Sequence, residues 1–212
     1  MIQGAPVAPF FMPWVCDDLS MNANDVVAAP RQLRTARLRL ESPRAEHAAP
    51  FLGSLLRSLP TLRYIGWGQT QRDLVWSQRF CADGAAMVER GECVIFNAFR
   101  LDDERYVGRI DLHSFDLDVP RCEVGYVGEI TLRGQGLMRE AVQAVIDLAF
   151  NLGFARVQAL SDARNERALA FALALGMQRE GVLHAFERDP QGGLADMVMF
   201  AALAPALRGG SA

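Results

Sequence analysis

With 212 residues, half of them hydrophobic and 22% charged, the chain has the composition of a globular protein with one core, or of one domain plus an arm. A formal net charge of −3 lacks the basic footprint left by phosphate-backbone binding, which argues against a nucleic-acid partner. No uninterrupted apolar run is long enough to cross a bilayer, so no membrane span is expected.

Residues 1–34 carry Pro6, Pro9, Pro13, Asn22 and Asn24 and little periodicity, and read as an N-terminal extension or arm, either an unstructured tail or one whose Phe10, Phe11 and Trp14 dock onto a neighbouring surface. The start lacks a basic segment and is broken by prolines, unlike a signal peptide. Arg37 to Glu41 alternates polar and apolar, as a first strand does. Helices are expected over Glu46 to Leu59 and from about Gln71 to Arg90. Three strands follow, over Glu92 to Arg100, Arg105 to Phe115 and Arg121 to Ile130.

Arg133-Gly134-Gln135-Gly136-Leu137-Met138 then leads into a helix whose stripe is Ala141, Val142, Val145, Leu148, Ala149 and Leu152, stopped by Gly153. Arg156 to Ser161 reads as a strand, and Asn165 as the N-cap of a helix ending at Gly176. Two last strands, Gln178 to Arg188 and Ala195 to Ala202, flank the turn Asp189 to Gly193. The order predicts a mixed α/β domain over residues 35–204, with a short tail over 205–212. Cys16, Cys81, Cys93 and Cys122 are scattered, without metal-ligand spacing or a disulfide framework; a reducing cytoplasm and no metal are expected.

The glycine turn carries the chemistry. A strand delivered through glycines into a helix exposes free N–H groups at the positive end of a helix dipole, a setting suited to phosphate oxygens. A nucleoside-triphosphate loop would need a lysine, and the chain contains none. A dinucleotide fingerprint would need a third glycine where Arg139 stands. A metal-free phosphate site made of backbone amides remains.

Glu123-Val124-Gly125-Tyr126, the loop Arg133 to Met138 and Glu140-Ala141 resemble the acetyl-CoA signature of the GNAT acetyltransferase superfamily, in its Rim-type branch of ribosomal-protein N-terminal acetyltransferases. The resemblance continues, in order and at matching spacing, through Asn165 to Ala168, Leu175 to Met177, Glu180 to Leu183 and Asp196 to Met199, and covers roughly residues 35–203. It implies a twisted, mostly antiparallel sheet flanked by helices, in which two parallel neighbours, ending near Ile130 and Ser161, splay apart. It also implies acetyl-CoA as cosubstrate, with the diphosphate on Arg133, Gly134, Gln135, Gly136, Leu137, Met138 and Arg139. Tyr126, Val127, Gly128 and Asn165 would hold the pantetheine arm and acetyl carbonyl; Asn165 equally serves as a helix cap. Glu187 falls where such enzymes carry the glutamate that deprotonates the amine, although an exposed strand-end glutamate beside Arg188 is the plain alternative. Glu129 and His113 are reserves. Tyr64 and Trp67, between the early helices, would face the acceptor or simply anchor the helix pair, and His113 would face the cleft or simply pack.

Two positions depart from the pattern. Gly128 replaces a larger apolar residue, predicting a looser or wider cleft, and Ala168 replaces a serine that would protonate the departing thiolate. The expected activity is N-acetylation of a primary amine in a ternary complex, by a homodimer; the alternative is a non-catalytic acyl-CoA-binding module. An α-amine with pKa near ~8 is about 10% neutral at pH 7 and a lysine near ~10.4 under about 0.1%, so one modest carboxylate suits the weaker base.

Overall fold

The computed structural model describes residues 23–66 and 72–207. Among them, eight strands form one open sheet in the order β1-β2-β3-β4-β5-β6-β8-β7. The strands are β1 (Gln32–Arg34), β2 (Leu38–Glu41), β3 (Val94–Arg100), β4 (Tyr106–Asp116), β5 (Arg121–Gly128), β6 (Arg156–Asp162), β7 (Gln178–Arg188) and β8 (Leu194–Leu203). Every neighbouring pair is antiparallel except β5 and β6. The helices are α1 (Ala23–Val27), α2 (Ala48–Ser58), α3 (Leu74–Glu89), α4 (Leu137–Asn151) and α5 (Glu166–Ala174). No helix among the described residues is long and apolar enough to cross a membrane.

The helices cover the sheet unequally. In α4, Leu137, Ala141, Val142, Val145, Ile146 and Ala149 bury a stripe at helical spacing against Ile110, Leu112, Cys122, Val124 and Val157. A second cluster joins Phe51 and Leu55 of α2 to Phe99 and Tyr106, with Trp76 and Phe80 of α3 packed on it. Buried His47, just before α2, pins that helix to the sheet: its Nε2 faces Glu41 Oε2 at 3.3 Å and its Nδ1 faces the Asn97 amide nitrogen at 3.2 Å.

Several boundaries differ from those read in the sequence. The sheet begins earlier, because β1 pairs with β2, and Val26 and Ala29 are buried in the main core. Residues 23–34 therefore pack against the domain rather than hanging from it. The first helix opens as a 3-10 turn over Ala45–His47, and β5 stops at Gly128 before another over Ile130–Leu132. Trp67, Phe10, Phe11 and Trp14 lie outside the described residues.

Candidate active site

The parallel pair β5–β6 is joined only at Arg121↔Arg156, Cys122↔Val157 and Glu123↔Gln158. Beyond Glu123 the strands part, β5 staying with β4 as far as Gly128 and β6 with β8 as far as Asp162. The N–H of Glu129 is bonded to the Val107 carbonyl at 2.8 Å, on the β4 side. Alternation along a strand then turns the backbone of Val127 toward β4, and that of Tyr126 and Gly128 toward the gap. The parting leaves a row of strand amides facing open space.

At the C-terminal end of β5 the chain makes the glycine turn. Gly134 and Gly136 have φ of 79° and 73°, left-handed angles that a side chain resists. Gly136 is the N-cap of α4, so the N–H groups of Leu137, Met138 and Arg139 belong to the helix's first, open turn; the first closing bond runs from Glu140 N–H to the Gly136 carbonyl at 3.0 Å. The turn is braced from outside. The carboxylate of Glu140 accepts from Thr35 Oγ1 at 2.6 Å, Arg37 N at 2.9 Å and Arg37 Nε at 2.6 Å, while Arg37 Nη1 donates to the Gln135 carbonyl at 3.0 Å.

Two cavities meet here. One, of about 440 Å³, has Tyr126, Val127, Gly128 and the loop residues Arg133, Gly134 and Gly136 in its wall, together with Leu137, Met138, Arg139 and Asn165. Arg133, Arg139 and Arg167 stand in this wall against one carboxylate, Glu129, which is paired with Arg57 at 2.6 Å, so this lobe is basic. The other, of about 280 Å³, is lined by Glu123, Asp162 and Glu187, with Tyr64 and Ser161. Ile65, Tyr126, Asn165 and Ala168 line both and form the common wall. Asp162 is committed to Arg164 at 2.6 Å, which leaves Glu123 and Glu187 as this lobe's remaining carboxylates.

The residues expected from the sequence are sorted by this geometry. Gln135 is the exception in the loop: it is absent from the walls and contributes its carbonyl to Arg37. Asn165 accepts from Ala168 N at 3.3 Å as a helix cap and also stands in the common wall. Tyr64 donates to the Arg164 carbonyl at 3.0 Å, and the Arg63 guanidinium lies 4.7 Å from its ring centre. Glu187 stands at the exposed edge of the second lobe. His113 lines neither cavity; its Nε2 lies 3.6 Å from Asp111 Oδ2 and 4.0 Å from Glu123 Oε1, behind the lobe.

Glu129 is occupied structurally. Burial alone would raise its pKa, but bonds from Arg57 and Thr131 prevail and hold it below the ordinary carboxylate value, which leaves it a poor base. Sequence reasoning missed Glu123, which it treated only as part of a motif. Burial pushes that carboxyl up, with Glu187 and Asp111 adding to the rise and His113 and Gln158 opposing it. The available signal was alternation: Cys122 and Val124 are core residues, so Glu123 must face the other way.

Gly128 does not open the cleft. A Cβ at Gly128 would lie 2.7 Å from Met138 Cγ, so the methionine fills the space that a larger residue there would take. At the paired Gly108, a Cβ would meet Met138 Sδ and also the Val127 carbonyl oxygen at 2.5 Å. Gly128→Ala is therefore expected to destabilise by about 1–3 kcal/mol through overpacking, and Met138→Ala should restore most of the loss. Gly108→Ala should not be rescued, because its clash includes backbone. Thermal melts of the single and double variants check this; equal rescue at both glycines would contradict it.

The family model of the acetyltransferase (GNAT) domain matches residues 37–178. Among curated relatives, the N-acetyltransferase p20 of Bacillus licheniformis is 29% identical over 114 residues, covering 53% of this chain and 64% of that protein. YoaA of Bacillus subtilis (strain 168), also named as an N-acetyltransferase, is 27% identical over 103 residues, or 48% of this chain and 58% of that protein. The matched region thus spans less than two thirds of either relative. Among solved structures, the microcin self-immunity acetyltransferase MccE, in complex with acetyl-CoA and AMP, superposes with a TM-score of 0.76 at 17% identity, over 88% of this chain and 99% of that one. The ribosomal-protein α-N-acetyltransferase RimL, in complex with coenzyme A, gives 0.73 at 18%, over 84% and 98%. The likeness to these structures is one of fold.

Proposed function

This chain belongs to the GNAT family of acetyltransferases, and from that premise we propose that it transfers an acetyl group from acetyl-CoA to a cationic primary amine. The observation that carries the proposal is the pair of oppositely charged lobes meeting at Tyr126. An anionic cosubstrate suits the lobe of Arg133, Arg139 and Arg167; an ammonium suits the lobe of Glu123 and Glu187.

In this reading the diphosphate rests on the loop amides from Gly134 to Arg139, with the helix dipole and flanking guanidinium groups adding to the attraction. The pantetheine arm lies in the gap, bonded to strand amides at Tyr126 and Gly128 and to Asn165, and the thioester reaches the common wall. A neutral amine from the acidic lobe attacks the carbonyl carbon directly. A covalent relay has little support from the described cysteines: Cys93 and Cys122 are buried, and burial raises their thiol pKa values to about 11 and about 12. Ser161 lines the acidic lobe alongside Ala168, and its hydroxyl is our candidate for the proton donor that Ala168 cannot be.

Calorimetric titration with acetyl-CoA tests the first half of the proposal. Saturable one-to-one binding is expected, together with intersecting initial-velocity lines when acetyl-CoA and an amine are both varied. No binding by the folded protein would reject it. Saturable binding without any amine-dependent turnover would favour the acyl-CoA-binding module, which the alanine at 168 supports.

A further inference from the structure

We propose that the irregular stretch His184-Ala185-Phe186 of β7 positions the acceptor site: it sets the Glu187 carboxylate in the acidic lobe and is held in shape by Asp196. The inference rests on the reading of the site as an amine acetyltransferase.

The register shows what the stretch does. Before it, Leu183 pairs with Met197; after it, Glu187 pairs with Ala195, so β7 takes four steps where β8 takes two. The two extra residues form a wide bulge, a feature that re-aims side chains. Regular pairing would set Ala185 opposite Ala195 and leave Glu187 opposite Gly193, in the turn between the strands. At about 3.3 Å per residue, that is roughly 6–7 Å further along the strand. Ala195 and Met197, two apart on β8, share a face, so the bulge brings Glu187 beside Met197 in the lobe's wall.

The bulge is strained and pinned. Ala185 has φ 50°, a left-handed angle uncommon for residues other than glycine. Its N–H donates to Asp196 Oδ1 at 2.8 Å, and His184 Nδ1 lies 2.8 Å from Asp196 Oδ2, so one carboxylate spans both residues. Asp196 is fixed in turn, because its carbonyl accepts from Ala163 N at 2.8 Å, in the loop between β6 and α5. Beyond Glu187 the chain is fixed again. Asp189 Oδ1 accepts from Gln191 N at 3.1 Å and Gly193 N at 2.8 Å, and its Oδ2 lies 3.1 Å from Arg164 Nη2. Among the described residues β7 is an edge strand, so these two pins take the place of a second ladder around Glu187. The side chains of His184 and Asp196 are 80% and 44% exposed, so their contact contributes little to stability and variants there should fold. A strained residue held by so weak a contact is explained by what it positions.

The test follows amine-dependent thiol release beside calorimetric acetyl-CoA titration, using throughout the fastest amine from a panel of peptides, amino acids, aminoglycosides and polyamines. Asp196→Ala should lower kcat/KM for the amine by about 10-fold and leave acetyl-CoA affinity within about twofold of the parent. Asp196→Asn, whose amide oxygen still accepts from the Ala185 N–H, should recover most of the loss. At position 185 the usual preference of a strand should invert. Ala185→Gly, at ease with φ 50°, stays near the parent, whereas Ala185→Val, which is not, loses as much as Asp196→Ala. In a Glu187→Gln background Asp196→Ala should cost nothing further, because its effect runs through that carboxylate. Undiminished kcat/KM in Asp196→Ala, a full additional loss in the Glu187→Gln background, or Ala185→Gly faring worse than Ala185→Val overturns the assignment. No amine-dependent release by the parent would instead reject the acetyltransferase reading, and the positioning role with it.

Discussion

Gly136→Glu is expected to abolish saturable acetyl-CoA binding, weakening it by about 10²-fold or more, which is roughly 2.7 kcal/mol or greater. Two costs combine. Any side chain at φ 73° carries a strain of about 1 kcal/mol, and the added carboxylate points charge into amides arranged for an anion. Steric blockage of the fold is not among them, because a Cβ at Gly136 would meet only Arg37 Nη2, at 3.6 Å. Gly136→Ala therefore serves as the control. It should show the conformational cost alone, about a fivefold loss, and should melt close to the parent. Equal losses in the two variants would mean that backbone shape, rather than charge, governs the loop.

The second large effect is expected at Glu129, through stability. Its side chain is 1% exposed and accepts from Arg57 Nη2 at 2.6 Å, Arg57 Nε at 3.0 Å and both the N–H and hydroxyl of Thr131 at 3.0 and 3.1 Å. Ser58 Oγ, beside Arg57 at the end of α2, accepts from Ile130 N at 3.1 Å. These bonds tie α2 to the turn that carries β5 into the glycine loop. Glu129→Ala removes the shared acceptor and leaves buried donors without it. The Arg57 side chain is 53% exposed and water recovers part of the loss, so we expect about 2–3 kcal/mol rather than the full cost of breaking a buried pair. Chemical denaturation measures it, and acetyl-CoA affinity should fall as well.

The sign of the pH dependence follows. A carboxyl held below its ordinary value in the fold stabilises above that ordinary value, and the contribution is lost as pH falls through the lowered one. The difference in stability between parent and Glu129→Ala should therefore be full at neutral pH and shrink on acidification below the ordinary carboxylate value. A difference independent of pH would mean that packing, not charge, makes the contribution.

Local signals were legible along the chain. Alternation located most of the strands, helical spacing located the stripe of α4, and the glycine turn marked the start of that helix. The early part was harder to read: β1 is three residues long and Ala23–Val27 barely exceeds one helical turn, too short for a period to emerge. Pairing over long separations was legible only through the family resemblance, which implied the splayed parallel pair. Nothing local indicates that β5 and β6 part after Glu123, that Arg37 reaches Glu140, or that Met138 fills the gap over Gly128. For the same reason motif position singles out Glu187, whereas only the alternation with the core residues Cys122 and Val124 places Glu123 on the opposite face of β5.

The central claim is tested most directly by following free coenzyme A thiol as the protein turns over acetyl-CoA with single amines: peptides with free α-amines, amino acids, aminoglycosides and polyamines. The account predicts saturable, amine-dependent thiol release with stoichiometric acetylated amine in the product. It also predicts that cationic acceptors outperform those bearing a carboxylate beside the amine, because the receiving lobe is acidic. Saturable acetyl-CoA binding with thiol release no faster in the presence of any amine, or a consistent preference for anionic acceptors, would contradict it.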